Sequence, residues 1–220
     1  MHRTTGSISM TFGMNSVRRL ISVVILLSVT GVAVAGDEHV PASSDRPGDS
    51  WTVEQVVAGL KEGWEPSVPF EESIHSSLLT KPLVVRGVLR FTSPSRLEKE
   101  VREPYRERYL VEGDRVTFES ERKHVTKTIS LDDYPGLRGF VDAFRATLSG
   151  DSALLKQSYD TVVEGTRRMW VLRLHPRDQS ANTMVDSIEL SGADNRIKTI
   201  TVRAPDGDRS VMTLLRGHMP

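Results

Sequence analysis

The chain has 220 residues, with 29 Lys+Arg set against 29 Asp+Glu, and it has no cysteine. The missing thiols exclude disulfides, thiolate metal sites and a cysteine nucleophile. The even charge excludes the basic excess of a nucleic-acid binder, and the length suits one domain with a sizeable core.

Arg18 and Arg19 precede an uncharged apolar run from Leu20 to Val32, and Ala33, Val34 and Ala35 then form a small-x-small pattern before Gly36. This order predicts a signal peptide over residues 1–35, cleaved after Ala35, with Met14 as an alternative start. The run falls short of the roughly 20 residues that a membrane-spanning helix needs. Arg3, Arg18 and Arg19 leave with the signal, so the remainder is slightly acidic. With no cysteine at the cleavage point to be lipidated, a soluble product is expected. An exported chain without disulfides fits a bacterial periplasm. Residues 36–50 are polar and rich in Pro, Gly and Ser, which predicts a flexible leader. Residues 51–220 are expected to form a single domain.

The first element expected in that domain is a helix. Val53, Val56, Val57 and Leu60 recur at helical spacing, with Ser50 or Thr52 as cap and Gly63 as stop. Two strands follow Pro66, with a break near Thr80–Pro82. In the second, Leu83, Val85, Leu89 and Phe91 oppose Arg86 and Arg90, and Gly87 permits a bulge or a close approach. Ser95–Val101 reads either as a helical turn or as a charged edge segment stopped by Pro104. Residues 105–131 read as three strands, turning at Glu112-Gly113-Asp114 and near Glu121–Lys123. Leu137, Phe140, Val141, Phe144 and Leu148 then form an apolar stripe on a helix ended by Gly150, and SALLKQS adds a short helix.

The last fifty residues predict an antiparallel meander of four runs: MWVLRLHP, TMVDSIEL, NRIKTITVRAPDGD and DRSVMTLLR. Trp170, Leu172 and Leu174 share one face of their run, as do Ile200 and Val202 of theirs. Met212 and Leu214 alternate with Val211, Thr213 and Leu215, which reads as a strand buried on both faces. The fold class expected is α+β: a half-closed, mostly antiparallel β-barrel, a curved sheet covered by lid helices. Its apolar face needs a cover, and that cover is either the chain's own helices or a greasy ligand.

Chemistry is sparse. None of the 6 histidines stands at metal-ligand spacing, and the chain lacks a GxSxG elbow, a phosphate-cradling glycine loop and an HExxH motif. No catalytic residue, metal or cofactor is expected. His175 beside Asp178 is a weak general-base pair without a nucleophile. Asp132–Asp133 reads as a helix cap before a sugar site. Arg86 and Arg90 read as solvated strand charges before a phosphate site.

Several features taken in order carry a resemblance. They are an exported chain, an N-terminal amphipathic helix, RGVLRFTSPSRLEKE, an EGDRVTF hairpin, a central helical insert and a terminal meander ending in PDGDRSVMTLL. Together they resemble the periplasmic lipoprotein carrier family, LolA-like, in a divergent branch, over nearly all of residues 51–216. The resemblance implies an unclosed barrel with lid helices that catalyses no reaction. It implies acylated cargo, a lipoprotein or glycolipid, received from an inner-membrane exporter and given to an outer-membrane acceptor, and a monomer is expected. The cavity wall is then assigned by strand parity to Leu89, Phe91, Phe118, Trp170, Leu172, Ile200 and Met212. The lid face is assigned to Leu137, Phe140, Val141 and Phe144. In the family an Arg before the strand-ending Pro hydrogen-bonds to the lid, and an aromatic pair follows. Here Ser93 precedes Pro94, and Leu97 and Lys99 take the aromatic positions, so the classical lid lock is not expected and another amphiphile, such as a glycolipid or an acylated metabolite, has room as cargo. The competing readings are a periplasmic binding or scaffold module without internal lipid and a hydrolase on a barrel scaffold.

Overall fold

A computed structural model describes residues 51–178 and 184–215. The expected signal peptide and polar leader, and part of the TMVDSIEL run, lie outside the described residues. Helix α1 (Val53–Gly63) begins at a capping box. Thr52 Oγ1 accepts from the Gln55 amide at 3.3 Å, and Gln55 Oε1 accepts from the Thr52 amide at 2.9 Å. Val53, Val56, Val57 and Leu60 form its buried face, and each such side chain contributes on the order of 1.5–3 kcal/mol when taken from water.

The strands are β1 (Ser67–His75), β2 (Leu83–Ser93), β3 (Arg96–Glu103), β4 (Glu107–Glu112), β5 (Arg115–Ser120) and β6 (Val125–Ser130). A single 3-10 turn, Leu131–Asp133, leads into helix α2 (Pro135–Ser149), and helix α3 (Ser152–Ser158) follows. The chain returns to the sheet as β7 (Tyr159–Thr166), β8 (Met169–Pro176), β9 (Ser187–Ala193), β10 (Arg196–Arg203) and β11 (Arg209–Leu214).

All 11 strands belong to one antiparallel sheet, ordered β6-β5-β4-β3-β2-β1-β11-β10-β9-β8-β7. Every neighbour is a sequence neighbour except at one seam, where β1 pairs with β11 from Phe70↔Leu214 to His75↔Arg209. The sheet is curved and unclosed. The helices lie on its apolar face: α1 packs on α2 and reaches β7 and β10, and α3 packs on α2.

Three expectations need correction. The segment from Arg96 is extended, but it is no edge: β3 lies inside the sheet between β2 and β4. Its inward residues Lys99 and Val101 alternate with charges that find partners on the outer face. The meander gains an edge strand, β7, in which Val162 on the outer face and Thr161 on the inner one blur the apolar alternation. The last strand is buried on one face: Ser210, Met212 and Leu214 are inside, while Val211 is half-buried and Thr213 exposed.

Gly87 marks a register shift between β2 and β3. A Cβ there would stand 1.9 Å from the Glu100 carbonyl oxygen. Gly113 turns the β4–β5 hairpin at φ +53 with open space around it. Gly87→Ala is therefore expected to destabilise by an amount at the upper end of about 1–3 kcal/mol, because backbone must shift. Gly113→Ala should lose about 1 kcal/mol, from the left-handed φ alone. Denaturant midpoints of the two variants check this ranking, and an equal loss would contradict the close approach.

Candidate functional site

Beneath the first half of α2 lies an apolar cavity of about 110 Å³. Leu89, Leu97, Tyr109, Val111 and Val116 line it from the β2–β5 side, and Ile200, Val202 and Met212 from the β10–β11 side. Its roof is Leu137, Phe140, Val141 and Phe144 of α2. The Phe140 and Phe144 rings stand 5.0 Å apart and are only half-buried, while Leu137 and Val141 are buried. Under the second half of α2, a void of about 10 Å³ is left among Ala143, Thr147, Leu148, Leu174, Ile188, Leu190 and Ile197. That is no more than the space one water needs. One end of the helix therefore covers a hollow, and the other is packed solid.

The four expected lid residues line the cavity, as do Leu89, Ile200 and Met212 among the expected wall residues. Phe91, Phe118, Trp170 and Leu172 do not. All four are buried, so strand parity puts them on the correct face, but their place along the strand gives them other neighbours. Phe91 packs edge-on to Trp64, with ring centroids 6.2 Å apart. Trp170 is covered by Trp51 and donates from Nε1 to the Asp194 carbonyl at 2.9 Å. Leu172 is fully buried in the core. Phe118 packs on the ring of Tyr109, which itself lines the cavity.

Sequence reasoning missed the polar members of the wall. Glu72 on β1 and Lys99 on β3 form an ion pair inside the cavity, and Ser210 on β11 stands in the same wall. Glu72 is 1% exposed and Lys99 is 8% exposed. The signal was legible: Phe70, Glu72 and Ile74 alternate on one face of β1, and an acid in that series must point inward. Tyr109 turns its hydroxyl away to donate to Glu107 Oε2 at 2.8 Å. Burial, and then the Glu107 carboxylate beside it, raises this phenol far above its usual range, so it remains a protonated donor.

Two arginines tie α2 to the chain around it. Arg138 Nη2 donates to Asp132 Oδ1 at 2.6 Å and to Asp114 Oδ1 at 3.0 Å. Arg145 Nη2 donates to the Gly113 carbonyl. Both reach the β4–β5 turn, which also accepts a bond from the Leu131 amide through Asp114 O at 2.8 Å. Ser93, at the position of the family's lid-binding Arg, bonds instead to Ser95 at 2.9 Å.

The other candidates fall away from the cavity. Arg86 pairs with Glu71 and Glu103, and Arg90 with Glu98 and Glu100, so both guanidiniums are met by carboxylates. Glu100 is held down to about 2 by Arg102 and then by Arg90. His175 is exposed on β8 opposite Asp160. Asp132 binds Arg138, and Asp133 ends the 3-10 turn.

A family model, Outer membrane lipoprotein carrier protein LolA-like, matches residues 46–219. The chain belongs to this family. LolA-like families are carrier or lipid-binding proteins. Among solved structures, a LolA superfamily protein of Nitrosomonas europaea aligns at 12% identity and TM-score 0.42, covering 78% of this chain and 96% of that one. An outer membrane lipoprotein-sorting protein domain of Vibrio parahaemolyticus aligns at 11% identity and TM-score 0.41, covering 74% and 89%. The MucA/MucB complex of Pseudomonas aeruginosa aligns at 11% identity and TM-score 0.38, covering 74% and 55%. At these scores the likenesses add nothing to the family assignment. No curated protein matches the chain. Among the described residues, no helix is long and apolar enough to cross a membrane.

The latch residues are a third or less exposed on the arginine side but well exposed at Asp114 and Asp132. Such contacts contribute about 0.2–1 kcal/mol each. Arg138→Ala with Arg145→Ala is expected to speed amide exchange across residues 135–149 about fivefold to tenfold and to leave exchange in β8–β10 unchanged. Unchanged exchange in α2 would show that the arginines do not hold the lid.

Proposed function

We propose that this chain is a periplasmic carrier that shelters the acyl chains of a lipoprotein or a related lipid on the way to the outer membrane. In this reading the signal peptide is removed after Ala35, and residues 51–220 act as one carrier domain. An inner-membrane exporter supplies the cargo, and an outer-membrane acceptor takes it. The observation that carries the reading is the apolar hollow between the two halves of the sheet, roofed by Phe140 and Phe144 of α2.

Each CH₂ removed from water is worth about 0.8 kcal/mol, so a long acyl chain gains many times that on entry. The hollow of about 110 Å³ is smaller than the roughly 150 Å³ void known to take one benzene, so a full chain enters only as the lid moves. The uneven packing of α2 supports a hinged opening. Its second half stays on the solid core near Leu148, and its first half swings out with Leu137, Phe140, Val141 and Phe144. The apo lid then occupies part of the ligand's space, which limits net affinity and permits release. Met212 in the wall adapts to a changing occupant.

Organic extraction of the purified protein followed by mass spectrometry is expected to yield acyl lipids, and the delipidated protein to take up a neutral fluorescent acylglycerol. A protein that holds no lipid and takes up no probe is a binding module with a filled core, and the carrier reading fails. Phe140→Glu with Phe144→Glu should undock the lid and change probe uptake, while far-UV circular dichroism stays that of the folded sheet. Wild-type uptake in that variant would refute the lid assignment.

A further inference from the structure

The ion pair inside the cavity has no evident structural purpose. Glu72–Lys99 is the least exposed ion pair among the described residues, and the other pairs decorate the outer face or the helix surfaces. Replacing a buried pair by apolar side chains of similar size is often neutral or stabilising, so stability alone does not account for two charges in a wall built mostly of Leu, Val, Ile and Met. Their position suggests a use. Glu72 lies on β1, where it faces Met212 of β11 across the seam, and Lys99 reaches it from β3, two strands away. The pair thus stands where the two halves of the hollow meet.

The donors can be counted. An ammonium has three hydrogens and no acceptor. Among the described residues Glu72 takes one of them, and the Phe70 ring stands 5.4 Å from Nζ. Ser210, two residues from Met212 on the same face, adds a hydroxyl to the wall. The site therefore offers donors to an entering molecule, while its own charge sums to zero. A neutral acceptor meets these donors without changing the buried charge. A free carboxylate brings a third charge that nothing in the wall balances, and it opposes Glu72 at short range.

Resting on the carrier reading above, we infer that Glu72, Lys99 and Ser210 form a polar subsite that takes the carbonyl of an acyl ester or amide and rejects free fatty acids. The hydrocarbon lies against Leu89, Ile200 and Met212, and the carbonyl oxygen accepts from Lys99. A carrier that must prefer acyl esters and amides gains a contact to their carbonyl here, since hydrocarbon walls offer it no donor.

The test compares monopalmitoylglycerol with palmitate as competitors of a bound neutral fluorescent acylglycerol, at about pH 8 where the acid is ionised. The wild-type protein is expected to prefer the ester by about tenfold to a hundredfold. Glu72→Gln frees Lys99 from its counter-ion, and the preference should shrink or reverse as palmitate pairs with the ammonium. Glu72→Leu with Lys99→Met keeps the wall apolar and folded. It removes the donor to the carbonyl and should bind the acylglycerol about tenfold more weakly than the wild type does. A dipalmitoyl lipopeptide and dipalmitoyl phosphatidylglycerol separate the two sources of acyl esters: displacement by either above palmitate supports the subsite, and the stronger names the source. Equal binding of ester and acid by the wild type, or acylglycerol binding that is unchanged in the Leu/Met pair, overturns the subsite and leaves the carrier intact. Failure of every acyl competitor to bind the wild type overturns both.

Discussion

The pairing of the first strand with the last holds this molecule together. Each half of the sheet is a run of hairpins that forms locally, β1 to β6 and β7 to β11. Neither half alone encloses anything. The β1–β11 ladder joins them across nearly the whole domain, so the closing entropy of a very long loop must be met before the concave face exists. Once it is met, Leu89 and Tyr109 from one half face Ile200 and Met212 from the other, and the helices between the halves are brought over the hollow. The cavity and its roof follow from that seam, while the ion pair inside the cavity is built within the first half, across β1, β2 and β3.

The helical insert has two mechanical parts. Its C-terminal half is set in a core with almost no free volume, which transmits strain and resists motion. Its N-terminal half rests on a hollow and is tied to the β4–β5 turn by Arg138, while the more buried Arg145 makes a second tie from the C-terminal half. Polar ties at a protein surface break easily, whereas a packed core does not. The lid is therefore expected to pivot about the Leu148 end. Ser93 bonds to Ser95, and the ties that reach the β4–β5 turn come from Arg138 and Arg145 of the helix itself.

How much was visible beforehand depended on whether local pattern sufficed. Helix α1, the stripe of α2 and the Gly113 hairpin each declare themselves through spacing and turn residues within a dozen positions, and the structure has them where the pattern puts them. β7 escaped because Val162 on its outer face and Thr161 on its inner one blur the apolar alternation, although exposure along the strand does alternate. Strand parity assigned the inner face correctly for every wall residue named. It could not tell Leu89, under the lid, from Phe91, beside Trp64, because level along a strand is decided by which helix lies above it. The Glu72–Lys99 pair was missed for a different reason. Both residues occupy inward parity positions, but a charge at such a position is usually read as a break in the pattern, and their meeting depends on a pairing of β1, β2 and β3 that no single segment reveals.

Among the described residues no ladder joins β6 to β7. A closed barrel has its girth set by strand number and shear, and widening it would break hydrogen bonds along an entire strand. An open cylinder has no such constraint. Its two margins can draw apart by a slight change of coil spread over many strands, with every rung intact. Such a vessel has no fixed bore, and loads of unequal thickness can share it.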